Sequence, residues 1–127
     1  APLTSGAKLG ILHGAAAYVC QNNEGQINDT ASISAGLDYP GVSPIHCFLK
    51  DTKRARYTSA TDEGALNAYK LVTKLEKINP SLEPSHAFAE AIKIAPTLSK
   101  DTIIIVNSCG DAKKDRDILK ERLGKIN

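Results

Sequence analysis

A loop with one carboxylate at its centre is the first place in this chain where residue types and spacing could do chemistry. The stretch Ser32–Val42 is lined by apolar residues and punctuated by Gly36, Pro40 and Gly41, with Asp38 in its middle. Gly and Pro fix the backbone path, so the loop itself determines where the carboxylate of Asp38 is held. Asp38 is therefore a candidate functional carboxylate, and a solvated turn Asp is the alternative.

Two further candidates lie beside predicted helix starts. The turn Asn107–Asp111 follows the most apolar strand-like run, and ligands of open α/β sheets bind beyond the carboxyl ends of strands. N–H groups of the next helix could hold an anion there, and Cys109 could be a reactive thiol. Glu83 directly precedes a helix and could face a pocket. An ordinary turn, a buried inert Cys109 and a first-turn acid that suits the helix dipole are the alternatives.

Metal binding is not indicated by the histidines or cysteines. His13, His46 and His86 have no second ligand at helical spacing, and the three cysteines form no CxxC pair. An odd number of widely spaced cysteines fits a reduced, intracellular compartment, and we expect a cytoplasmic protein.

Bulk composition excludes several classes of function. The 127 residues are 42% hydrophobic and 24% charged, with a formal net charge of +2. This charge is too small to indicate nucleic-acid binding, and no apolar run is long enough to span a membrane. The chain begins at Ala1 rather than Met, which suggests processing or a fragment.

Periodicity predicts strands that alternate with helices, over one domain or part of one domain at 1–127. The alternation favours an α/β layer architecture, with a sheet of mostly parallel strands flanked by helices. Strands are predicted at Leu9–His13, Tyr18–Gln21, Arg56–Ser59 and Thr102–Asn107. Helices are predicted at Pro44–Lys50, from the N-cap Thr61 to Ile78, from near Pro84 to before Pro96, and at Asp111–Leu123.

Several separate blocks, in order, resemble the last third of the tryptophan synthase β subunit, a pyridoxal-phosphate enzyme of fold type II. The resemblance runs from about Leu3 to Asn107. Its blocks are Leu9–Gly14, Gly25–Ile27, Ser32–Val42, Pro44 with His46, Arg54-Ala55, Thr61–Glu63 with Ala65-Leu66, Leu82-Glu83 with Ser85–Ala87, and Val106-Asn107.

The resemblance implies roles for particular residues in joining indole to the side chain of serine. Asp38 matches the aspartate beside the substrate hydroxyl, and Glu83 matches the glutamate near the cofactor ring. His13 falls on the wall of the indole tunnel. Cys109, followed by Gly110, falls where the family has a serine bonded to the ring nitrogen. The backbone carbonyls of Leu37, Tyr39 and Gly41 match ligands of a monovalent cation (Na⁺ or K⁺).

The resemblance also implies what this segment does not supply. The family's cofactor lysine, glycine-rich phosphate cradle and catalytic glutamate lie upstream of it and have no match here. In the turn Cys109–Asp115, a thiol replaces the serine and Asp111 replaces a cation. Pyridoxal phosphate is therefore expected only together with the remainder of the β chain, and the segment alone is expected to be inactive. The implied partners are that remainder, the α subunit and, in the full enzyme, a second β chain.

Two hypotheses follow from different classes of protein. The first is a C-terminal portion of a tryptophan-synthase-type β chain that acts only with the missing N-terminal portion. The second is a non-catalytic α/β binding or interaction module derived from such a chain. A weaker third hypothesis is an anion-binding module that uses the turn after Asn107.

Overall fold

The computed structural model describes residues 1–124, which divide into two compact units. The first unit holds residues 1–31 and 38–59, and the second holds residues 32–37 together with the chain from residue 60. Elements of the first unit are β1 (Lys8–Leu12), β2 (Ala15–Val19) and α1 (Pro44–Asp51). Elements of the second are α2 (Asp62–Glu76), α3 (Leu82–Ile94) and α4 (Arg116–Leu123), with 3-10 turns at Ala95–Thr97 and Ala112–Asp115.

A tight hairpin joins β1 and β2. His13 and Gly14 both have positive φ, 51° and 75°, between the paired residues Leu12 and Ala15. A two-residue loop with positive φ at both positions has the twist that antiparallel strands need. The pairing is therefore antiparallel, since parallel strands would require a crossover of a dozen residues or more.

Helix α1 is attached to β2 in the first unit. Ala17 and Val19 of β2 and Cys47 of α1 are buried. The backbone N–H of Tyr18 donates to the Cys47 sulfur at 3.3 Å, and the Tyr18 hydroxyl donates to Asp51 at 2.9 Å. Pro44 begins α1, as predicted, because a first-turn proline removes only an N–H that would have no helical acceptor.

Local capping chemistry sets the helices of the second unit. Thr61 is the N-cap of α2, as predicted, and its side chain accepts from the Gly64 N–H at 3.1 Å. Lys77 adopts a left-handed conformation (φ 58°) and ends α2 before the predicted Ile78. Helix α3 begins at Leu82, so Pro84 falls within its first turn.

The second unit has its own hydrophobic core. Helices α2 and α3 pack on each other, and α4 adds Leu119. Leu66, Ile118 and Leu123 pack against its edge. The buried members of this core are Ile33, Ala65, Tyr69, Leu82 and Leu119.

The structure corrects two predicted strands, and the predicted parallel sheet is not confirmed by the described residues. Residues 56–59 and 102–107 form no strand, and the single sheet within residues 1–124 is the antiparallel pair β1–β2. Ile103 and Ile105 are 86% and 90% exposed. A β-branched run forms a buried strand only when neighbouring strands accept its backbone hydrogen bonds, and the described residues offer Thr102–Asn107 no such neighbours.

None of the helices described for this chain combines the length and the apolar character that crossing a bilayer requires.

Candidate functional site

The residues predicted to form the site fall in both units, and each group is described within its own unit. The second unit holds Leu37, Glu83, Cys109 and Gly110. The first unit holds His13, Asp38, Tyr39 and Gly41.

The carboxylate of Glu83 is the centre of the group in the second unit. It lies in the first turn of α3, and its side chain is only 16% exposed. Oε1 accepts from the backbone N–H of Gly36 at 3.2 Å and from the Lys114 ammonium. Oε2 is buried and accepts no well-formed hydrogen bond within residues 1–124, but the hydroxyls of Ser81 and Ser34 lie close enough to the carboxyl to lower its pKa. An unpaired buried carboxylate oxygen costs free energy, so Oε2 is suited to accept from a bound group.

Two glycines form a cradle around this carboxylate. A Cβ on Gly36 would lie 2.5 Å from Oε1 of Glu83. A Cβ on Gly110, whose φ is +89°, would lie 2.4 Å from the Ser81 Oγ and 3.4 Å from Oε2 of Glu83. Real Cβ atoms do not come as close as 2.4–2.5 Å, so Gly36 packs against Glu83, and Gly110 against Ser81, only because they lack side chains.

The turn at residues 109–115 is fastened to the start of α3. The Ser81 hydroxyl donates to the carbonyl of Cys109 at 2.8 Å, and Asp115 accepts from the Leu82 N–H at 2.7 Å. Asp115 is 3% exposed, so a buried carboxylate here satisfies one of the N–H groups that a helix start leaves without an acceptor. Gly110 is thereby held beside Glu83.

The loop at residues 32–37 is fastened to α2. The backbone N–H of Ile33 donates to Asp62 at 3.4 Å, and the same Asp62 oxygen lies 3.7 Å from His86 Nε2. His86 Nδ1 bonds to the Leu82 carbonyl at 2.7 Å. His86 therefore bonds within the fold. Ser34 in this loop is fully buried, and its hydroxyl makes no well-formed hydrogen bond within residues 1–124 but lies close enough to Glu83 to lower the pKa of that carboxyl.

The electrostatics favour a charged Glu83. Burial alone would raise the pKa of this carboxyl, but hydrogen bonds from Lys114, from the residue's own backbone and from the Ser81 and Ser34 hydroxyls lower the pKa to about 2. The hydrogen bond to Glu83 in turn raises the pKa of Lys114. Both groups are charged throughout the neutral range.

Stability of the second unit should fall in acid because of this carboxylate. The pKa of Glu83 is about 2 in the folded chain and 4.5 ordinarily, so its contribution is complete above pH 4.5 and is lost as the pH falls towards 2. After allowance for solvent screening we expect about 1 kcal/mol. Urea unfolding between pH 2 and 7 should show this loss in the native chain and not in Glu83→Gln. The exposed-site control Glu76→Gln should keep it, and equal slopes in all three would contradict the assignment.

A second arrangement lies at the tip of the hairpin in the first unit. The rings of His13 and Tyr39 stack with centroids 6.1 Å apart and an interplanar angle of 16°. His13 Nε2 also makes a hydrogen bond with the Tyr39 hydroxyl. The backbone of Gly41 pairs with that of Val19, and a Cβ on Gly41 would lie 2.5 Å from Leu12 Cδ2. Asp38 is exposed. The stacked rings of His13 and Tyr39 present an aromatic surface at the hairpin turn.

The ligand chemistry is consistent with part of a cofactor site. Within residues 1–124 no group of three or more His, Cys, Asp or Glu side chains could hold a metal ion. Glu83 Oε2 and Ser34 Oγ are buried without partners, and Gly36 and Gly110 leave room at the carboxylate. These features fit the ring side of pyridoxal phosphate. In the turn after Asn107, Asp111 accepts from the Lys113 N–H at 2.9 Å, which occupies one donor that an anion would need.

Sequence reasoning missed four residues of the group around Glu83. They are Ser34, Gly36, Ser81 and Lys114. Glycine signalled a special backbone at Gly36, but no local pattern pairs Lys114 with a carboxylate 31 residues away.

Comparison with known proteins identifies close relatives of this sequence. No family model matches it. It is 53% identical over 117 residues to a tryptophan synthase beta chain of Bordetella petrii, covering 92% of this chain and 29% of that protein. It is 52% identical over 120 residues to that of Cereibacter sphaeroides, covering 94% and 29%. For Chromobacterium violaceum the values are 53% over 115 residues, 91% and 29%.

The match is nearly complete for this chain and partial for its relatives. The chain spans 29% of the length of these three relatives and aligns with their C-terminal portion. The chain is therefore identified as a homologue of the tryptophan synthase β chains, aligned with their C-terminal portion.

Proposed function

We propose that this chain is the C-terminal segment of a tryptophan-synthase-type β chain, which joins indole to the side chain of serine with pyridoxal phosphate. The segment contributes walls of the site and depends on the missing N-terminal portion for the cofactor lysine. The support is the sequence identity to these relatives, 53% and 52% over 92% and 94% of this chain. The aligned region makes up only 29% of the length of each relative. The single observation within the chain that carries the proposal is the buried, half-bonded carboxylate of Glu83.

Glu83 has the position and charge for a group beside the cofactor ring. Pyridoxal phosphate supplies the electron sink for the reaction, and the protein orients and tunes it. A carboxylate that stays charged at neutral pH and keeps one oxygen free can accept a hydrogen bond from a neighbouring bound group. Cys109 and Gly110 contribute the edge of the site next to Glu83, with the thiol in place of the family's serine.

The residues of the first unit have roles at the substrate and at a cation. Asp38 binds the substrate hydroxyl when the site is assembled. His13, stacked on Tyr39, forms part of the wall that indole passes. The carbonyls of Tyr39 and Gly41 in this unit, and that of Leu37 in the second unit, are proposed ligands of a monovalent cation.

The exposed segment Thr102–Asn107 becomes a strand of the parallel sheet of fold type II when the rest of the β chain is present. Its isoleucines at 103 and 105 are 86% and 90% exposed in this chain. Burial of a large aliphatic side chain stabilises by about 1.5–3 kcal/mol, so the segment gains by pairing with upstream strands. The α subunit and a second β chain are the further partners of the assembled enzyme.

Fragment complementation tests the proposal. The chain is mixed with pyridoxal phosphate and the remaining N-terminal part of the Bordetella petrii relative, and tryptophan formation from indole and serine is measured. We expect turnover from the mixture and none from either piece alone. Glu83→Ala in the mixture should lower turnover by about a hundredfold, the scale of a lost electrostatic contact in a site.

A fused protein separates failure of assembly from failure of chemistry. In it, this chain replaces the matching C-terminal portion of the Bordetella petrii relative. An active fusion with inactive fragments would show only that the pieces do not associate. A folded fusion that binds pyridoxal phosphate but makes no tryptophan would contradict the proposal. It would favour the alternative, a non-catalytic module, for which the substitution of Asp111 for a family cation in the turn is the motivating observation.

A further inference from the structure

The two oxygens of Glu83 have different surroundings. Oε1 accepts from two donors, the Gly36 N–H at 3.2 Å and the Lys114 ammonium. Oε2 is buried beside Gly110 and accepts no well-formed hydrogen bond in the described part of the chain, with the Ser81 and Ser34 hydroxyls as its nearest candidate donors. A carboxylate whose one oxygen is bonded from two directions cannot rotate freely, so the direction of the other oxygen is fixed as well.

We propose that Lys114 is a positioning residue, which with the Gly36 N–H holds Oε1 of Glu83 so that Oε2 remains the free acceptor facing the bound cofactor. This inference rests on the proposed function for its consequence in the reaction. The geometry of the pair does not depend on it, because all the contacts lie within the second unit.

Lys114 is itself held in place by its neighbours. It lies in the 3-10 turn Ala112–Asp115, between two anchored aspartates. Asp111 caps the turn by accepting from the Lys113 N–H, and Asp115 accepts from the Leu82 N–H at 2.7 Å. The turn is therefore attached to the start of α3, one residue before Glu83.

The charges around the pair keep both partners ionised. Lys114 faces Glu83 most closely, and Asp115 and Asp111 also raise its pKa. Other titratable residues of this segment are Lys113, in the same turn, and Cys109, whose side chain is exposed and whose carbonyl accepts from Ser81. An ammonium with three carboxylates around it remains protonated at any pH at which such an enzyme would work.

An ordinary surface ion pair is the competing explanation, and it makes a different prediction. Lys114 is 40% exposed, and exposed pairs contribute about 0–1 kcal/mol to stability. A loosely held surface pair of that strength would shift the Glu83 pKa by less than about one unit. A pair that holds Oε1 in place shifts the pKa by more, and by linkage its loss lowers the free energy of unfolding at neutral pH by a matching amount.

Carbon-detected NMR titration of the Glu83 carboxyl in this 127-residue chain tests the inference. We expect Lys114→Gln to raise the measured Glu83 pKa by at least about one pH unit, the effect of removing an adjacent opposite charge. Lys114→Arg should keep most of the native value. The matched control Lys113→Gln removes the same charge from the neighbouring residue and should leave the Glu83 pKa unchanged.

Three results would overturn the inference. They are a Glu83 pKa near 4.5 in the native chain, an unchanged pKa in Lys114→Gln, and an equal rise in Lys113→Gln. Native-like amide spectra show that each variant folds; if Lys114→Gln does not, the native titration and Lys114→Arg still decide. None of these results depends on tryptophan formation, so failure here leaves the complementation result standing, and failure of complementation leaves the geometry of the pair standing.

Discussion

Replacing Leu82 with Ala should lower the free energy of unfolding of the second unit by about 2–5 kcal/mol. Leu82 is 0% exposed and belongs to the core with Ile33, Ala65, Tyr69 and Leu119. Removing three methyl or methylene-type carbons deletes their transfer free energy and leaves a cavity between α2, α3 and α4. Urea unfolding can be followed by helix circular dichroism and by tyrosine fluorescence, because the chain has no tryptophan.

The control for this substitution is Leu75→Ala on the same unit. Leu75 is 62% exposed on α2, so its truncation should change stability by no more than about 0.5 kcal/mol. Equal losses in the two variants would mean that the core does not centre on Leu82. Leu82→Met, which nearly conserves volume, should cost less than about 1.5 kcal/mol.

Truncation of Leu82 should also disturb the candidate site, because Leu82 is the residue next to Glu83 in the chain. Leu82 directly precedes Glu83, and its N–H is bonded to Asp115 in the turn that carries Lys114. The core therefore fixes the residue that binds the turn, and the turn fixes the carboxylate. Sites on rigid elements hold their geometry better than sites on loops.

The helices were predictable because their signals are local. Thr61 followed by acids marks the start of α2, and Pro44 marks the start of α1, and the structure has both. The bounds shifted by a few residues where a backbone conformation decided them, as at the left-handed Lys77. The hairpin turn at His13-Gly14 required positive φ at a histidine, which residue type alone does not indicate.

The lack of a strand at Thr102–Asn107 and the surroundings of Glu83 were not predictable in the same way. A strand forms only where neighbouring strands pair with it. An apolar β-branched run indicates that a segment favours the β conformation, but not whether such neighbours are present. The donors to Glu83 lie 47 and 31 residues away in sequence, at Gly36 and Lys114. Glu83 itself was identified through family resemblance, since a helix-start acid has an ordinary explanation in the helix dipole.

Replacing Gly110 with Ala should destabilise the second unit and disturb the site around Glu83. Its φ is +89°, and the new Cβ would lie 2.4 Å from the Ser81 Oγ. Ser81 is 2% exposed and donates to the Cys109 carbonyl at 2.8 Å, so it cannot move aside without losing a buried hydrogen bond. We expect a loss of about 2–4 kcal/mol in stability, from backbone strain together with that bond.

The matched control is Gly124→Ala, because it separates backbone strain from steric collision. Gly124 also has positive φ, +72°, but a Cβ there meets no atom within 4 Å. It should cost about 1–3 kcal/mol, because φ +72° with ψ −159° is a conformation that essentially only glycine adopts, and it should leave the Glu83 titration unchanged. Gly110→Ala should in addition displace the turn from Glu83 and, in the complemented or fused enzyme, lower turnover by about a hundredfold, the scale of a 1 Å misplacement in a site. If both variants lost equal stability and kept full turnover, the close approach of Gly110 to Ser81 and Glu83 would have no part in the site.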